Sequence, residues 1–385
     1  MNMDSKVPEV RFEGFGGEWG QDNISNIAPL QRGFDLPKNL IKVGAHPVVM
    51  SNGVNCFHNE FKAKAPGVVT GRSGTIGNIH YIDVDYWPHN TSLWVTNFHK
   101  NVPLFIYYLY VKLDLKRFGT GSGVPTLNRN DVHVQSVALP KDSKEQTVIG
   151  NYFQKLDALI NQHQQKHGKL SSIKKAMLEK MFPKQGETIP EIRFKGFSGE
   201  WVERSWSDTV DISTNMVDPR NCQYGELFHV GPGNIESFTG RFYNNVLKVK
   251  DSNLISGKFH FNKGDIIYGK INPQLAKYVI APFEGLASAD AYVLNTKNGV
   301  VQNYLFAILH TEDFYKYTVS VSSRTGMPKI NRDELNIYSY MAPSESEQTQ
   351  IGNYFQKLDA LINQHQQQIT KLNNIKLACL SKMFV

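Results

Sequence analysis

Two glycine-punctuated turns hold the densest clusters of side chains able to grip a polyanion. VVTGRSGTIGNIH, residues 68–80, presents Arg72, Ser73, Thr75 and Asn78. YGKINPQLAKY, residues 268–278, presents Lys270, Asn272, Gln274, Lys277 and Tyr278. Lys, Arg, Ser, Thr and backbone N–H groups bind phosphate oxygens; Arg, Lys, Asn and Gln also carry hydrogen-bonding patterns that match base edges. Gly71, Gly74 and Gly77 let the backbone come close to a ligand. Each turn follows a short apolar run, so the two occupy matching places in the chain. A solvated surface turn accounts for any one of these residues equally well; the concentration of donors in each whole loop favours a contact.

Other chemistries find less support. Cys56, Cys222 and Cys379 are odd in number and far apart, which suits buried thiols rather than a disulfide framework or a zinc site. His163 and His167 stand one turn apart on a helix face, a spacing that can bind a metal. Ile369 replaces the second of them in the repeat described next, so both read as polar members of a helix seam. GTGSGVP, residues 119–125, lacks the third glycine of a dinucleotide loop, and no GxxxxGK[ST] occurs. Neither an Asn-Pro-Pro-aromatic tetrapeptide nor a nucleophile elbow is found. No catalytic residue and no metal ligand is assigned, and a binding component is expected rather than an enzyme.

The elements that must position these turns are written twice. EQTVIGNYFQKLDALINQHQQ (145–165) recurs as EQTQIGNYFQKLDALINQHQQ (347–367), with only Val148 and Gln350 differing. KLSSIKKAMLEKMF (169–182) continues the match to KLNNIKLACLSKMF (371–384). VPEVRFEGFGGEW (7–19) opens one half and IPEIRFKGFSGEW (189–201) the other. SGVPTLNR (122–129) and TGMPKINR (325–332) precede the two long helices. Each half therefore runs opener, variable stretch, Gly-Pro loop, long helix, dividing the chain at 1–140, 141–184, 185–342 and 343–385. Recent copying would have left the variable stretches alike too. A pseudo-dimer, one chain imitating a two-fold pair, fits better.

Along the first long helix, Ile149, Phe153, Leu156, Ile160, His163, His167 and Leu170 fall at alternating steps of four and three, a coiled-coil seam. Ile351, Phe355, Leu358, Ile362, His365, Ile369 and Leu372 repeat it. Such rods have no core of their own and must pack, most economically on each other. Gly168 is a weak point in the first. The variable stretches mix short β-like runs (HPVVMSNGVN, TSLWVT, GKFHFNKGDIIYGKI) with helices at 103–118 and 303–318. The expected class is α+β: two mixed globular domains separated by two long antiparallel helices.

At 385 residues, with 41% hydrophobic and 20% charged residues, the chain suits two ordered domains. The net charge of +7 is concentrated in residues 141–184, which hold nine lysines against four acidic residues. The large domains are near neutral, so a nucleic-acid contact there needs a local patch. No apolar run approaches the ~18–20 residues of a membrane span, and the N-terminus lacks a signal-peptide core. A cytoplasmic protein with no membrane contact is expected.

Together the RFxGFxGEW opener, the GRSGTIG and GDIIYGKI stretches, the Gly-x-Pro-x-Leu/Ile-Asn-Arg loop and the Glu-Gln-x-x-Ile-Gly helix start resemble the specificity subunit of Type I restriction–modification enzymes, over about residues 7–384. The resemblance implies two target-recognition domains, each reading one half of a split double-stranded DNA target. It implies two antiparallel helices that act as a ruler, where one added turn shifts a reader by about 5.4 Å, on the order of 1–2 base pairs. It implies two modification (methyltransferase) subunits that bind S-adenosylmethionine, and two restriction subunits that use ATP and Mg2+, with no cofactor in this chain. It adds the Gly-Pro loops to the reading surface: Thr120, Ser122, Thr126 and Arg129, with Arg324, Thr325, Lys329 and Arg332. Asn128-Arg129 and Asn331-Arg332 have a second reading, as anchors of the loop to the helix that follows. Phe153, Leu156, Ile160, His163, Leu170, Phe355, Leu358, Ile362, His365 and Leu372 are expected in helix or partner packing. Two alternatives are the recognition half of a self-contained methyltransferase or nuclease, for which Val385 leaves no room, and a coiled-coil scaffold that binds no DNA.

Overall fold

The computed structural model describes residues 6–121, 123–323 and 326–385. They form two compact units, one of Met1–Gln164 with Gln367–Val385, the other of Gln165–Gln366. The division cuts both long helices, Ser143–Lys180 and Glu345–Met383. Each unit thus contains the start of one long helix and the end of the other.

In the first unit, a four-stranded antiparallel sheet orders its strands Leu30–Arg32, Ser92–Val95, Gly67–Gly71, Ile79–Ile82. A second sheet joins Gly53–His58, His46–Met50 and Trp87–Pro88, the last pair parallel. Gly20–Asn23 pairs with Ser136–Leu139 and ties the opener to the start of the long helix. The second unit repeats this plan, except that its second sheet has five strands rather than three. Its four-stranded sheet orders Val210–Ile212, Ala291–Thr296, Ile266–Gly269, Tyr278–Ile280, again antiparallel throughout. Phe228–Val230 runs parallel to Gly285–Ala287, as His46–Met50 does to Trp87–Pro88. Val202–Ser205 pairs with Ser339–Ala342. Val68, Val69, Ile266 and Ile267 are buried, which is why the central strands read as unbroken apolar runs rather than alternating ones.

Residues 303–318 do not form the single helix expected. Gln302–Leu309 stops, and Glu312–Ser322 begins afresh after Thr311, whose hydroxyl accepts the N–H of Phe314 at 3.3 Å. Glu312 and Asp313 in the new first turn complement the helix dipole.

The repeated text holds each unit's interior. Arg11 clamps Glu145 through two guanidinium nitrogens at 2.7 and 2.8 Å, and Arg193 clamps Glu347 at 2.6 and 2.7 Å. Both carboxylates are buried. The adjacent glutamines satisfy the otherwise orphaned first N–H groups of the shorter helices: Gln146 accepts from Val102 at 2.8 Å and Gln348 from Val301 at 3.0 Å. The seam residues Phe153, Leu156 and Ile160 are buried in the first unit, Phe355 and Leu358 in the second. Leu372 packs from the other long helix onto the first core, and Leu170 onto the second. Ile362, His163 and His365 are half-buried. The two helix ends close the cores: Phe384 stacks on Phe105 at 5.3 Å, and Phe182 on Tyr304 at 5.7 Å.

Cross-helix ion pairs accompany this packing in duplicate. Lys376 meets Asp157 at 2.5 Å in the first unit; Lys174 meets Asp359 at 2.6 Å in the second. Tyr108 donates to Asp157 at 2.8 Å. In the second unit the network runs instead from Lys174 to Nδ1 of His310, 3.3 Å away, and on to the Tyr278 hydroxyl at 3.1 Å from the same nitrogen.

Removing one partner of a buried pair leaves an uncompensated charge, so Glu145→Ala and Glu347→Ala should each cost about 3–5 kcal/mol in chemical denaturation. The helix glycines should separate by environment. Gly168 faces open space, so Gly168→Ala should stabilise by up to about 1 kcal/mol. A Cβ at Gly352 would lie 2.8 Å from the backbone of Asn303 and Tyr304, so Gly352→Ala should destabilise; the 3.2 Å contacts at Gly150 predict a smaller loss there. Burial, with Lys174 adding to it, holds the His310 imidazole well below its ordinary range. The unfolded chain then takes up the proton first, and the second unit should lose stability as pH falls below about 6.5. Asp359, raised by burial, acts in the opposite sense at lower pH. Melting curves between pH 7.5 and about 5 should show the loss, and His310→Gln should flatten it.

Candidate nucleic-acid interface

The two donor-rich turns occupy the same structural place. Each links the third and fourth strands of its four-stranded sheet, 67–71 to 79–82 and 266–269 to 278–280. Each is also joined to its Gly-Pro loop by the same backbone bonds. Gly74 N–H donates to the Pro125 carbonyl at 3.0 Å, and Leu127 N–H to the Arg72 carbonyl at 2.8 Å. In the second unit Asn272 N–H donates to Pro328 at 2.8 Å, and Ile330 N–H to Lys270 at 3.0 Å. Isolated bridges between Ser73 and Thr126, and between Ile271 and Lys329, complete the match. Turn and loop thus form one platform in each unit.

Backbone conformation explains the residue types at the pivot. Gly74 has φ +84° and Asn272 φ +51°, the left-handed region that glycine adopts freely and asparagine tolerates. At Gly71 a Cβ would lie 1.8 Å from the Thr75 carbonyl oxygen, so the first hairpin closes only around a glycine.

Side chains divide into exposed and internal groups. In the first unit Thr75, Asn78, Thr120 and Arg129 are exposed, while Arg72, Ser73 and Thr126 are half-buried. The Thr126 hydroxyl donates to the Val124 carbonyl at 3.4 Å, and that of Thr120 to the Thr126 carbonyl at 3.4 Å. In the second unit Gln274 and Lys329 are exposed, and Lys270 and Asn272 are half-buried. Lys270 lies over the Tyr292 ring at 5.2 Å and Arg332 over it at 5.6 Å. Burial first, then the charges of Lys329 and Arg332, lowers the Lys270 ammonium pKa, with Asp290 pulling it back. Crowded cations at a surface form a potential that an anion relieves. Ser122, Arg324 and Thr325 lie outside the described residues.

Three expected contacts are instead structural. Tyr278 is buried, its ring against His310 at 4.6 Å and its hydroxyl bonded to that histidine. Lys277 donates its ammonium to the Pro232 carbonyl at 2.7 Å. Arg332 donates to the carbonyls of Ile212 and Ser213 at 2.8 and 2.7 Å, so it ties the loop to the end of the first sheet strand. Both asparagines before these arginines serve the short helices that follow. Asn128 accepts from Asn130 N–H at 3.0 Å, and Asn331 forms a capping box with Glu334. Sequence reasoning missed the pairing of turn with loop. Its only trace in the text is the conserved order of Gly-Pro loop and Asn-Arg in both halves. Among the described residues no cluster of His, Cys, Asp and Glu could hold a metal ion, and no helix is long and apolar enough to cross a membrane.

Comparison with known proteins agrees with this two-fold construction. Residues 17–175 and 199–374 each match the family described as the Type I restriction modification DNA specificity domain. The Type I restriction enzyme EcoDI specificity subunit of Escherichia coli is 29% identical over 317 residues, covering 73% of this chain and 69% of that one. The S subunit of a Type I restriction–modification system from M. genitalium has the same fold, with a TM-score of 0.67 over 98% of this chain and 99% of that one at 13% identity. The HsdS subunit of Thermoanaerobacter tengcongensis aligns over 95% and 96% of the two chains, at 15% identity and a TM-score of 0.40. With matched segments spanning most of both halves, the chain belongs to the family of Type I restriction modification DNA specificity domains and carries two of them in tandem.

Proposed function

We propose that this chain is the recognition component of a Type I restriction–modification complex, and that each unit reads one half of a two-part target in double-stranded DNA. The observation that supports this most directly is the repeated hairpin-and-loop platform. An identical backbone arrangement carries Arg72, Ser73, Thr75 and Asn78 in one unit and Lys270, Asn272 and Gln274 in the other. A shared mode of docking with unlike side chains suits two unlike half-sites. Lys270 and Lys329 grip phosphates, and the exposed amides and hydroxyls of the turns face base edges.

The long helices fix the gap between half-sites and offer equal docking faces to two modification subunits. Repetition at exposed positions supports this: Asn151, Gln154 and Lys155 recur as Asn353, Gln356 and Lys357, all at the surface. Burial cannot account for keeping them alike. S-adenosylmethionine and the chemistry of adenine methylation belong to those partners, ATP and Mg2+ to two restriction subunits, and the complex works on DNA in the cytoplasm. This chain recognises and does not catalyse.

Purified with its modification subunit, the protein should bind duplex DNA with an affinity that falls steeply as salt rises. Lys270→Ala with Lys329→Ala should weaken binding to all sequences and reduce the slope of log K against log salt by about 2. Mapping methylated adenines in cells that express both subunits should give a two-part motif with an undefined gap. A continuous motif, or methylation by this chain alone, would overturn the reading.

A further inference from the structure

A third segment reaches each platform. The carbonyl of Thr91 accepts the N–H of Arg72 at 2.8 Å and that of Ser73 at 3.2 Å; the carbonyl of Asp290 accepts the N–H of Lys270 at 3.0 Å. These carbonyls belong to turns that lead into the second strand of each four-stranded sheet, where Ser92 pairs with Gly71 and Ala291 with Gly269. The turns share their internal geometry. Ser92 N–H donates to His89 at 2.9 Å, and Ala291 N–H to Ser288 at 3.0 Å. Nδ1 of His89 accepts Thr91 N–H at 3.4 Å, just as the Ser288 hydroxyl accepts Asp290 N–H at 3.2 Å. Residue by residue, 88–91 and 287–290 are therefore the same turn with different text.

The side chains of the two turns differ in what they are free to meet. His89 and Ser288 prop the turn. The Thr91 hydroxyl is tied inward, to His89 at 2.9 Å and to Ser51 N–H at 3.3 Å. Asn90 is half-buried, its amide donating to Asp35, whose side chain is 71% exposed. Arg32 joins this cluster through the Asn90 carbonyl at 3.4 Å. In the second unit Ala289, at the place of Asn90, and Asp290, at the place of Thr91, are both exposed, and Asp290 is set beside the cations of the platform. An exposed carboxylate repels a phosphate backbone, so its place on a surface that grips phosphates calls for a different partner. A carboxylate accepts from an exocyclic amine, as on cytosine or adenine, whereas an asparagine amide both donates and accepts, as adenine requires.

We infer that the turns 88–91 and 287–290 are a third reading segment of each unit, with Asn90 and Asp290 as specificity-determining residues for one base pair in each half-site. The inference rests on the function proposed above. Asp290 selects a base that presents an amine in the major groove; Asn90 selects adenine.

Methylated adenines are mapped in cells that express the modification subunit with the wild-type chain, Asn90→Ala, Asp290→Ala or Asp290→Asn. The wild type should give a two-part motif; failure at this step sinks the underlying reading rather than the inference. Asn90→Ala should relax one position of one half-site, with discrimination there falling about tenfold or more, and leave the other half-site intact. Asp290→Ala should relax one position of the opposite half-site alone. Asp290→Asn should move preference at that position toward adenine. The inference fails if the motif is unchanged in Asn90→Ala and Asp290→Ala. It also fails if Asp290→Asn raises methylation uniformly, which would make Asp290 a charge balance for Lys270. Loss of all methylation in both Asp290 variants would equally count against it, since a reader of one position leaves a relaxed site behind.

Discussion

Neither unit can complete its core with the residues of its own half. The first is closed by Leu380, Met383 and Phe384 from the end of the second long helix, the second by Met181 and Phe182 from the end of the first. These aromatic ends sit against Phe105, Phe153, Tyr304 and Phe355, among the largest buried side chains present. Buried aromatic area contributes strongly to stability, so each half depends on the other for its fold. Everything placed on the units inherits that dependence. The helices cannot slide without withdrawing a phenylalanine from a core, and the Lys–Asp pairs between them would be broken at the same stroke.

The second organising feature is a backbone plan that outlives its sequence. The strand order of the four-stranded sheet, the hairpin between its third and fourth strands, the bridge to the Gly-Pro loop and the turn before its second strand recur in both units. The side chains on that plan do not. A left-handed pivot is filled by glycine in one unit and asparagine in the other. Tyr108 in the first unit and the His310–Tyr278 pair in the second are different solutions for lining the same cross-helix ion pair. Such divergence is what a surface selected for contact geometry permits, since geometry is set by main-chain hydrogen bonds and specificity by whatever side chains they carry.

The architecture was largely legible in the sequence because its signals are periodic or repeated. The heptad spacing from Ile149 to Leu170 and its copy pointed to the long helices, and short β-like runs such as GKFHFNKGDIIYGKI pointed to strands. What escaped depends on contacts distant in sequence. Nothing local marks Arg11 as the partner of Glu145, although both stand in repeated blocks. Thr311 splits a helix that composition alone makes continuous, because a capping hydroxyl competes with propagation. At the platform, residue chemistry picked out segments that the fold brings together, and erred on the orientation of some side chains. Tyr278 lies buried on a strand, Lys277 just before it donates to the Pro232 carbonyl, and Arg332 donates to the carbonyls of Ile212 and Ser213. Nothing in the text of residues 88–91 and 287–290 marks them as the same turn, since that match is made by backbone and short side-chain bonds.

The opener of the second half follows the end of the first long helix, with Ile192 N–H bonded to the Lys180 carbonyl at 2.8 Å. The opener of the first half meets the end of the second long helix in the same way, Val10 N–H to Lys382 at 3.0 Å. Glu191 pairs with Lys180, and Glu9 with Lys382. A cut in the connection at residues 184–187 would therefore leave two fragments that must trade helix ends, because each unit draws on residues from both sides of that cut.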